Sequence, residues 1–297
     1  MASVPYIGEM LSVTAAILWA FAIVLFKRSG ETVHPVALNT FKDVLAVILY
    51  VPTLAIAGVS LIQNYPASDY VLLLVSGVIG IAVGDTLLFK SLNTIGAGAS
   101  ALVSCLYSPF IIGLSFVWIG ERLTWLQLVG VVLIISAVLE TTRTGDREIS
   151  DVRRNLFGVA WGILAVAAMA VGVVMIKPLL DEAPVLWVLQ IRLIGGVAAL
   201  LLFLAINPAR GRILSTLLIR KSRGYTFVSS VIGGYVAMLI WLGGIKFTKA
   251  SIAAALNQTN TVFVLVFAAL ILRERITAGR IIAILLAVTG ALLVTFG

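Results

Sequence analysis

Ten apolar runs, each about as long as a membrane-spanning helix, fill the chain from end to end. A helix of about 20 residues crosses roughly 30 Å of hydrocarbon. The runs lie at 7–26, 35–58, 68–89, 97–119, 124–142, 156–176, 184–206, 225–246, 250–272 and 277–296. Because 61% of the 297 residues are hydrophobic and only 11% are charged, a soluble globule is excluded. We predict an all-α membrane protein with ten transmembrane helices.

The few cysteine and histidine residues exclude most metal and redox chemistry. One Cys, Cys105, and one His, His34, cannot build a Cys/His zinc cluster or an internal disulfide framework. We therefore expect no metal ion and no cofactor. The net charge of +8 arises from basic residues in short connections between apolar runs, and not from one basic patch with interleaved aromatic residues. This distribution indicates membrane topology and excludes nucleic acid as a partner.

The second half of the chain repeats the first. Glu121-Arg122 follows the fourth apolar run, and Glu274-Arg275 follows the ninth, 153 residues later. The spacing predicts two five-helix repeats, at 7–142 and 156–296, joined by a charged linker loop at 143–155. Because five is odd, the second copy enters the membrane from the opposite side, and the repeats are inverted. Inverted repeats are typical of secondary transporters, in which two similar halves open a midplane site to either side, although channels also have them.

Several motifs of the chain resemble those of a known family. They are Gly84-Asp85-Thr86 at the end of the third run, Pro109, Gly120-Glu121-Arg122-Leu123-Thr124 and Gly130 in the first half, and Ser251-Ile252-Ala253, Arg273-Glu274-Arg275-Ile276-Thr277 and Gly290 in the second. The pattern resembles the EamA repeat of the drug/metabolite transporter superfamily, and it covers essentially the whole chain as two EamA domains. The resemblance implies a secondary transporter but no single substrate, because the superfamily handles amino acids, nucleosides, sugars, sugar phosphates and cationic drugs. It also implies a hinge at Pro109, although Val262 stands at the matching position of the ninth run.

The ionisable side chains that lie deepest inside the apolar runs are Lys42, Asp43, Asp85 and Arg192. Each costs about 2.5 to 3.5 kcal/mol at the centre of a bilayer, so each needs a partner or a function. Lys42 and Arg192 are equivalent at an offset of 150 residues, so each repeat has one cation that can attract an anionic or carboxylate-bearing substrate. The alternative is that the cations snorkel, cap a helix end or pair with a carboxylate. Asp43 follows Lys42 and points about 100° away on a helix, which predicts no direct pair between the two.

Asp85 is a candidate for ion coupling. Apolar residues flank it, and Met238 stands at the matching position of the second repeat. A carboxylate buried among apolar groups binds a proton more readily, which suits it to carry a coupling proton. The alternative is that Asp85 forms hydrogen bonds to a helix break created by Gly84.

The densest polar run within a span is Asn257-Gln258-Thr259-Asn260-Thr261, and its counterpart in the first repeat is Ser104-Cys105-Leu106-Tyr107-Ser108. Five consecutive polar residues cannot all face lipid or packed helix without leaving amide groups unbonded, so the run indicates a water-lined cavity. Hydrogen bonding between helices is the alternative. The candidate substrate-binding residues are Asn257, Gln258, Asn260, Tyr107 and Ser104, with Trp19, Trp241 and Gln190 as secondary candidates.

Two indicators of membrane orientation disagree. Fifteen Lys and Arg residues fall on one side of the predicted topology and four on the other, while Lys42 and Arg192 lie within spans. The positive-inside rule places the side with fifteen in the cytoplasm and both termini outside. The family resemblance implies the reverse, with both termini in the cytoplasm.

We predict a secondary, alternating-access exporter of a small polar or amphipathic metabolite, such as an amino acid or a related compound. Its partners would be that substrate, the lipid bilayer of a prokaryotic cytoplasmic membrane, and a coupling proton or counter-substrate. A channel or a membrane-embedded receptor is the alternative. An enzyme is not expected: Ser76-Gly77 and Gly84-Asp85 lack the remaining residues of intramembrane protease motifs, and no nucleotide-binding loop is present.

Overall fold

Most of the described residues are helical. The computed structural model describes every residue except 1–5, 108, 112, 115–123, 144–148, 248–255, 258, 275–277 and 297, and the described residues contain no β-strand. The α-helices are α1 (Ile7–Gly30), α2 (Pro35–Ile56), α3 (Ala67–Gly77), α4 (Thr86–Ser104), α5 (Trp125–Arg143), α6 (Ile149–Val174), α7 (Lys177–Glu182), α8 (Val185–Ile206), α9 (Arg210–Ser215), α10 (Arg220–Ser229), α11 (Met238–Phe247), α12 (Asn260–Phe267) and α13 (Ala278–Phe296). The π-helical segments π1 (Val78–Asp85), π2 (Ser230–Ala237) and π3 (Ala268–Leu272) continue α3, α10 and α12.

Six of the described helices are long and apolar enough to cross a membrane. They are Ile7–Gly30, Pro35–Ile56, Ala67–Ser104, Asn155–Val174, Val185–Ile206 and Arg220–Trp241, and shorter apolar helices cover Trp125–Ala137, Asn260–Leu272 and Ile281–Gly290. The stretch Ala67–Ser104 is kinked at Gly96, whose φ of 85° divides it between the third and fourth predicted spans. The protein is therefore a multi-pass membrane protein, while the count of ten spans stays a prediction.

Equivalent helices of the two halves have matching lengths. The helices α2 and α8 both contain 22 residues and begin 150 residues apart. The helices α5 and α13 both contain 19 residues and begin 153 residues apart. The connection 207–219 is three residues longer than the connection 57–66, and this difference accounts for the change of offset. Two pairs of equivalent helices therefore agree in length and spacing with the repeat that the sequence predicts.

Part of the predicted linker loop at 143–155 is helical. Helix α6 begins at Ile149, ahead of the apolar part of the same helix. Arginine is a good helix former, and Arg153 and Arg154 lie in this stretch, so the helix continues beyond the apolar run that marks the hydrocarbon. Residues 149–155 of the predicted linker therefore belong to helix α6.

Glycine residues allow α3 to lie directly against α8. A Cβ on Gly77 would come within 1.9 Å of the backbone oxygen of Arg192, and a Cβ on Gly195 within 2.4 Å of the backbone oxygen of Leu74. Such contacts are typical of membrane helices, which associate through close backbone packing because no hydrophobic drive acts between them in lipid. This packing fixes α8, and with it Arg192, against the first repeat.

Glu274 of the second repeat caps a helix of the first. Its carboxylate accepts hydrogen bonds from the backbone N–H of Ala97 at 3.0 Å and of Gly98 at 3.4 Å, where α4 resumes after its kink. A Cβ on Gly96 would lie 2.9 Å from Oε1 of Glu274, so the absent side chain makes room for the carboxylate. A negative charge is favourable at a helix N-terminus because it accepts from free N–H groups. Glu274 therefore joins the two repeats, while Arg275 and the matching Glu121 lie outside the described residues.

Candidate functional site

Helix α2 supplies hydrogen-bond donors to both π1 and π2. The side-chain amide of Asn39 donates to the carbonyl oxygen of Ile81 at 2.9 Å and to Oγ1 of Thr86 at 3.1 Å. The hydroxyl of Tyr50 donates to the carbonyl oxygen of Tyr235 at 2.9 Å. Insertions of π-helix disturb the regular backbone hydrogen bonds and occur frequently at functional sites. Helix α2 thus bonds to π1 of the first repeat and to π2 of the second.

Lys42 pairs with two carboxylates. It is 3% exposed, its Nζ lies 2.9 Å from Oδ1 of Asp43, and it also contacts Oδ2 of Asp85. The prediction that Lys42 and Asp43 form no direct pair is therefore wrong. The reason is the length of the lysine side chain, which folds back along its own helix to Asp43 while reaching π1. The Lys42–Asp43 contact is an ion pair by distance and not an aligned hydrogen bond.

Asp85 is the more exposed of the two carboxylates. Its side chain is 17% exposed, against 1% for that of Asp43, and it lines a cavity. The cavity is lined by Trp19, Ile23, Phe26, Lys42, Asp85, Leu88, Phe89, Leu92, Ser100, Ala101 and Ser104. Gly84 lies within π1, where the backbone stays helical, so Asp85 does not serve a helix break there. The ion pair therefore has one buried carboxylate and one that faces the cavity.

Arg192 has different surroundings from Lys42. It is 9% exposed, and no carboxylate of the described residues lies within 4 Å of its guanidinium. Its Nε has no hydrogen-bond acceptor in the part of the chain that the structure describes. Asp85 and Tyr107 act on it electrostatically from a greater distance. Of the two equivalent cations, Lys42 thus has ion pairs, and Arg192 has none among the described residues.

Each buried cation lies against the π segment of the other repeat. A Cβ on Gly234 of π2 would come within 3.0 Å of Cγ of Lys42, and a Cβ on Gly80 of π1 within 3.4 Å of Nη2 of Arg192. The pseudo-symmetry of the repeats therefore extends to the cations, although their partners differ. The four ionisable side chains gather where α2, α8, π1 and π2 meet.

The fourth and ninth predicted spans are interrupted at equivalent positions. Cys105 and Leu106 donate their backbone N–H to residues three positions earlier, both at 3.1 Å, and Thr259 donates likewise to Leu256 at 3.1 Å. The two interruptions lie close together, because Sγ of Cys105 is 3.3 Å from Oγ1 of Thr261. Tightened turns of this kind expose backbone groups that need a partner or a water-lined cavity at membrane depth.

The polar residues predicted to bind substrate lie around these interruptions, in part. Ser104 lines the cavity, and Tyr107 is half-buried just after the first interruption. Asn257 and Asn260 are half-buried, and the Oδ1 atom of each is buried without a donor among the described residues. Gln258 lies outside the described residues. The structure therefore brings Asn257 and Asn260 to the second interruption with unused acceptors.

The remaining candidates have separate surroundings. Trp19 lines the cavity. Gln190 is buried and donates to the carbonyl oxygen of Val47 at 3.3 Å, and Trp241 packs on the apolar cluster around Tyr50. Pro109 is helical and half-buried, four residues after Cys105, while the second repeat has its interruption without a proline. An interruption at this position thus does not require the proline.

Sequence reasoning missed Asn39 and Tyr50, and it identified Glu274 only as part of a motif, without its contact. Asn39 is fully buried and lies three and four residues before Lys42 and Asp43, so helical spacing of polar residues in α2 could have identified it. The partners of Tyr50 and Glu274 belong to the other repeat, and no local pattern indicates them. Among the described residues, no group of three His, Cys, Asp or Glu side chains could hold a metal ion.

Comparison with known proteins agrees with this geometry. An uncharacterized transporter from Archaeoglobus fulgidus is 23% identical over 292 residues, which cover 96% of this chain and 96% of that protein. A crystal structure of another protein has a TM-score of 0.58 and 18% identity over 97% of this chain and 96% of that chain, a likeness that concerns the fold alone. The EamA-like transporter family matches residues 6–143 and 156–296, one match for each repeat. With both halves matched, the chain belongs to the EamA-like transporter family, and the protein is a membrane transporter.

Proposed function

We propose that the protein is a secondary transporter that exports a small polar or amphipathic metabolite across a prokaryotic cytoplasmic membrane by alternating access. The observation that carries this proposal is the meeting of two interrupted spans, one from each repeat, at Cys105 and Thr261, 3.3 Å apart. Interrupted helices at the interface of inverted repeats are where secondary transporters bind their substrates.

The binding site in this proposal lies between the two interruptions and the buried ion pair. Trp19, Ser104 and Tyr107 contribute from the first repeat, and Asn257, Gln258 and Asn260 from the second. The unused Oδ1 atoms of Asn257 and Asn260 support this assignment, because buried acceptors without a donor are costly unless a ligand or water supplies one. Gln190 and Trp241 fit a supporting role, since both pack between helices.

The movement in this proposal is a rocking of one repeat against the other. The glycine contacts between α3 and α8 give the halves a close backbone interface, and Glu274 connects the second repeat to α4 of the first. Pro109 and the turn at Thr259 are the hinges that we propose, because both lie where regular helix is interrupted.

Asp85 is the residue that we propose for proton coupling. It combines a contact to Lys42 with exposure to the cavity, so a proton can reach it and change the balance of the ion pair. Asp85→Asn should then remove the pH dependence of transport. Asp43→Asn is the matched control, because Asp43 contacts the same lysine but is only 1% exposed, and it should keep that dependence. Unaltered pH dependence in Asp85→Asn would contradict the coupling role.

Counterflow in proteoliposomes tests the transport mechanism. A thermal-shift screen of the purified protein against a metabolite library first identifies a ligand. Labelled ligand should then enter faster when unlabelled ligand is preloaded on the other side, because a carrier returns faster when loaded. Equal uptake with and without preloading would identify a channel, and ligand binding without any uptake would identify a receptor.

A variant of the polar run tests the site. Replacing Asn257, Gln258 and Asn260 together by Leu should abolish uptake and leave membrane insertion unchanged, since apolar residues favour the bilayer. Expression and a single gel-filtration peak check insertion and folding. Transport at the rate of the unmodified protein would place the site elsewhere.

A further inference from the structure

Arg192 lies deep in the predicted membrane region without an anionic partner among the described residues. It is 9% exposed and lies seven residues, or about 10 Å of helix, after the start of α8. Its Nε is buried and has no hydrogen-bond acceptor in the described chain. A guanidinium cannot lose its charge in a protein, so neutralisation by proton loss is not available. The described chain therefore leaves the Arg192 guanidinium without a direct ion pair.

Arg192 lies against π1, the segment that ends at the cavity residue Asp85. Nη2 of Arg192 lies beside Gly80, where a Cβ would approach it to 3.4 Å. Asp85 and Tyr107, its electrostatic neighbours, belong to the cavity wall and to the first interruption. Lys42, the equivalent cation, is already occupied by Asp43 and Asp85. Of the two, only Arg192 has no ion pair within the described structure.

We propose that Arg192 binds the carboxylate of a small substrate with a single carboxyl group, which deepens the transport function proposed above and rests on it. A guanidinium presents two parallel N–H groups that match the two oxygens of a carboxylate. Each repeat then contributes one charge pair in the loaded protein. In the first repeat Lys42 is paired by the chain, and in the second Arg192 is paired by the substrate.

The surroundings select a carboxylate over a phosphate. A phosphate carries up to two negative charges near neutral pH, and the side chain of Asp85 acts on Arg192 as a further negative charge. One guanidinium balances one carboxylate, so a second negative charge beside Asp85 would be repelled. Dicarboxylates and inorganic phosphate should therefore bind more weakly than monocarboxylates.

The first experiment needs no knowledge of the substrate. The melting temperature of the purified full-length protein is measured for Arg192→Met and for Lys42→Met, which is the same change at the equivalent position. Removing a buried charge that lacks a partner should raise the Tm by roughly 2 to 4 °C. Removing Lys42 should lower the Tm, because two carboxylates lose their cation. An unchanged or lower Tm in Arg192→Met would show that the chain itself satisfies Arg192 and would overturn the proposal.

The second experiment uses matched ligand pairs at millimolar concentration: lactate with lactamide, benzoate with benzamide, and leucine with leucinamide, together with succinate and inorganic phosphate. At least one monocarboxylate should raise the Tm of the unmodified protein, while its amide does not. Arg192→Met should abolish the shift, and Arg192→Lys should reduce it, because lysine lacks the paired N–H groups. Equal shifts from acid and amide, no shift from any carboxylate, or a shift that survives in Arg192→Met would each overturn the proposal.

Transport assays separate this proposal from the transport function itself. If counterflow is observed and Arg192→Met keeps the rate of the unmodified protein, the carboxylate site is wrong and the transporter stands. If carboxylates bind through Arg192 but no counterflow occurs, the site stands and the carrier mechanism is wrong.

Discussion

Lys42 and Arg192 stand at equivalent positions of the two repeats, in helices of equal length, yet their surroundings differ. Lys42 contacts two carboxylates, while the described structure gives Arg192 no carboxylate within 4 Å. Each lies against a glycine of the other repeat's π segment, so the backbone around the two cations is alike. The repeat therefore determines where the charges lie, and the acidic residues of the first repeat alone determine which charge is neutralised. Asp43 has Leu193 as its counterpart, and Asp85 has Met238.

Lys42→Met should give the largest effect, because it breaks the pair that distinguishes the repeats. Removing one member of a buried ion pair costs about 3 to 5 kcal/mol in the free energy of unfolding. We expect a clear fall in the Tm of the purified protein and loss of transport. The triple variant Lys42→Met, Asp43→Asn, Asp85→Asn removes the uncompensated charges and should recover most of the Tm. If Lys42→Met were as stable as the unmodified protein, the ion pairs of Lys42 would contribute nothing to stability. Lys42 and Arg192 would then not differ in this respect.

The helical membrane class, the repeat and the equivalence of Lys42 with Arg192 could be predicted from the sequence, because apolar length and spacing carry that information, while the count of ten spans stays a prediction. The segments π1 and π2 could not be predicted, because Val78–Asp85 and Ser230–Ala237 differ from α-helix in hydrogen-bond register and not in composition. The pairing of Lys42 was also beyond a helical projection, which gives the direction of Cβ but not where four methylene groups lead. Glu274 was recognised as part of a motif, but its partner, the N-terminus at Ala97, is 177 residues away in sequence.

Gly77→Ala should have the second largest effect, because it acts on the backbone that holds Arg192. The new Cβ would lie 1.9 Å from the backbone oxygen of Arg192, so α8 must move. Overpacking of this kind costs about 1 to 3 kcal/mol. Gly234→Ala makes the same change at the glycine that contacts Lys42. There the nearest atom, Cγ of Lys42 at 3.0 Å, belongs to a flexible side chain, so the Tm should fall less.

Gly224→Ala controls for the helix propensity of alanine in both glycine variants. Nothing lies within 4 Å of a Cβ at Gly224, which is in α10, so this change should hold or raise the Tm. If Gly234→Ala lowered the Tm as much as Gly77→Ala, the two cations would be equally constrained by their backbones and the comparison between them would weaken.

Glu274→Ala tests whether the repeats depend on each other at a distance from the buried charges. Two N–H groups at the start of the resumed α4 lose their acceptor, which costs about 1 kcal/mol, as for other helix caps. The Tm should fall modestly, and Glu274→Gln should recover part of it because its side-chain oxygen can still accept. The counterflow rate is measured at a temperature where both proteins are folded. A lower rate in Glu274→Ala would then show that the cap also takes part in the movement of the repeats.

The smallest expected effect comes from His34. It concerns the first turns of α2 and α8, which are capped differently. His34 is the N-cap of α2, and its Nδ1 accepts from the N–H of Val36, whereas Pro184 at the start of α8 offers no side-chain cap. Burial, together with the charge of Lys90, lowers the pKa of His34 below its usual value near 6.5. The unfolded chain binds a proton on His34 at a higher pH than the folded chain does. The contribution of His34 to stability is therefore fully present above the usual pKa of histidine, and it is lost as the pH falls below that value. Asn keeps a capping acceptor but cannot be protonated, so in His34→Asn the Tm should decrease less between pH 7.5 and pH 5.5 than in the unmodified protein. Identical pH slopes for the two proteins would show that the protonation of His34 is not linked to folding, and that the first turn of α2 responds to pH no more than that of α8.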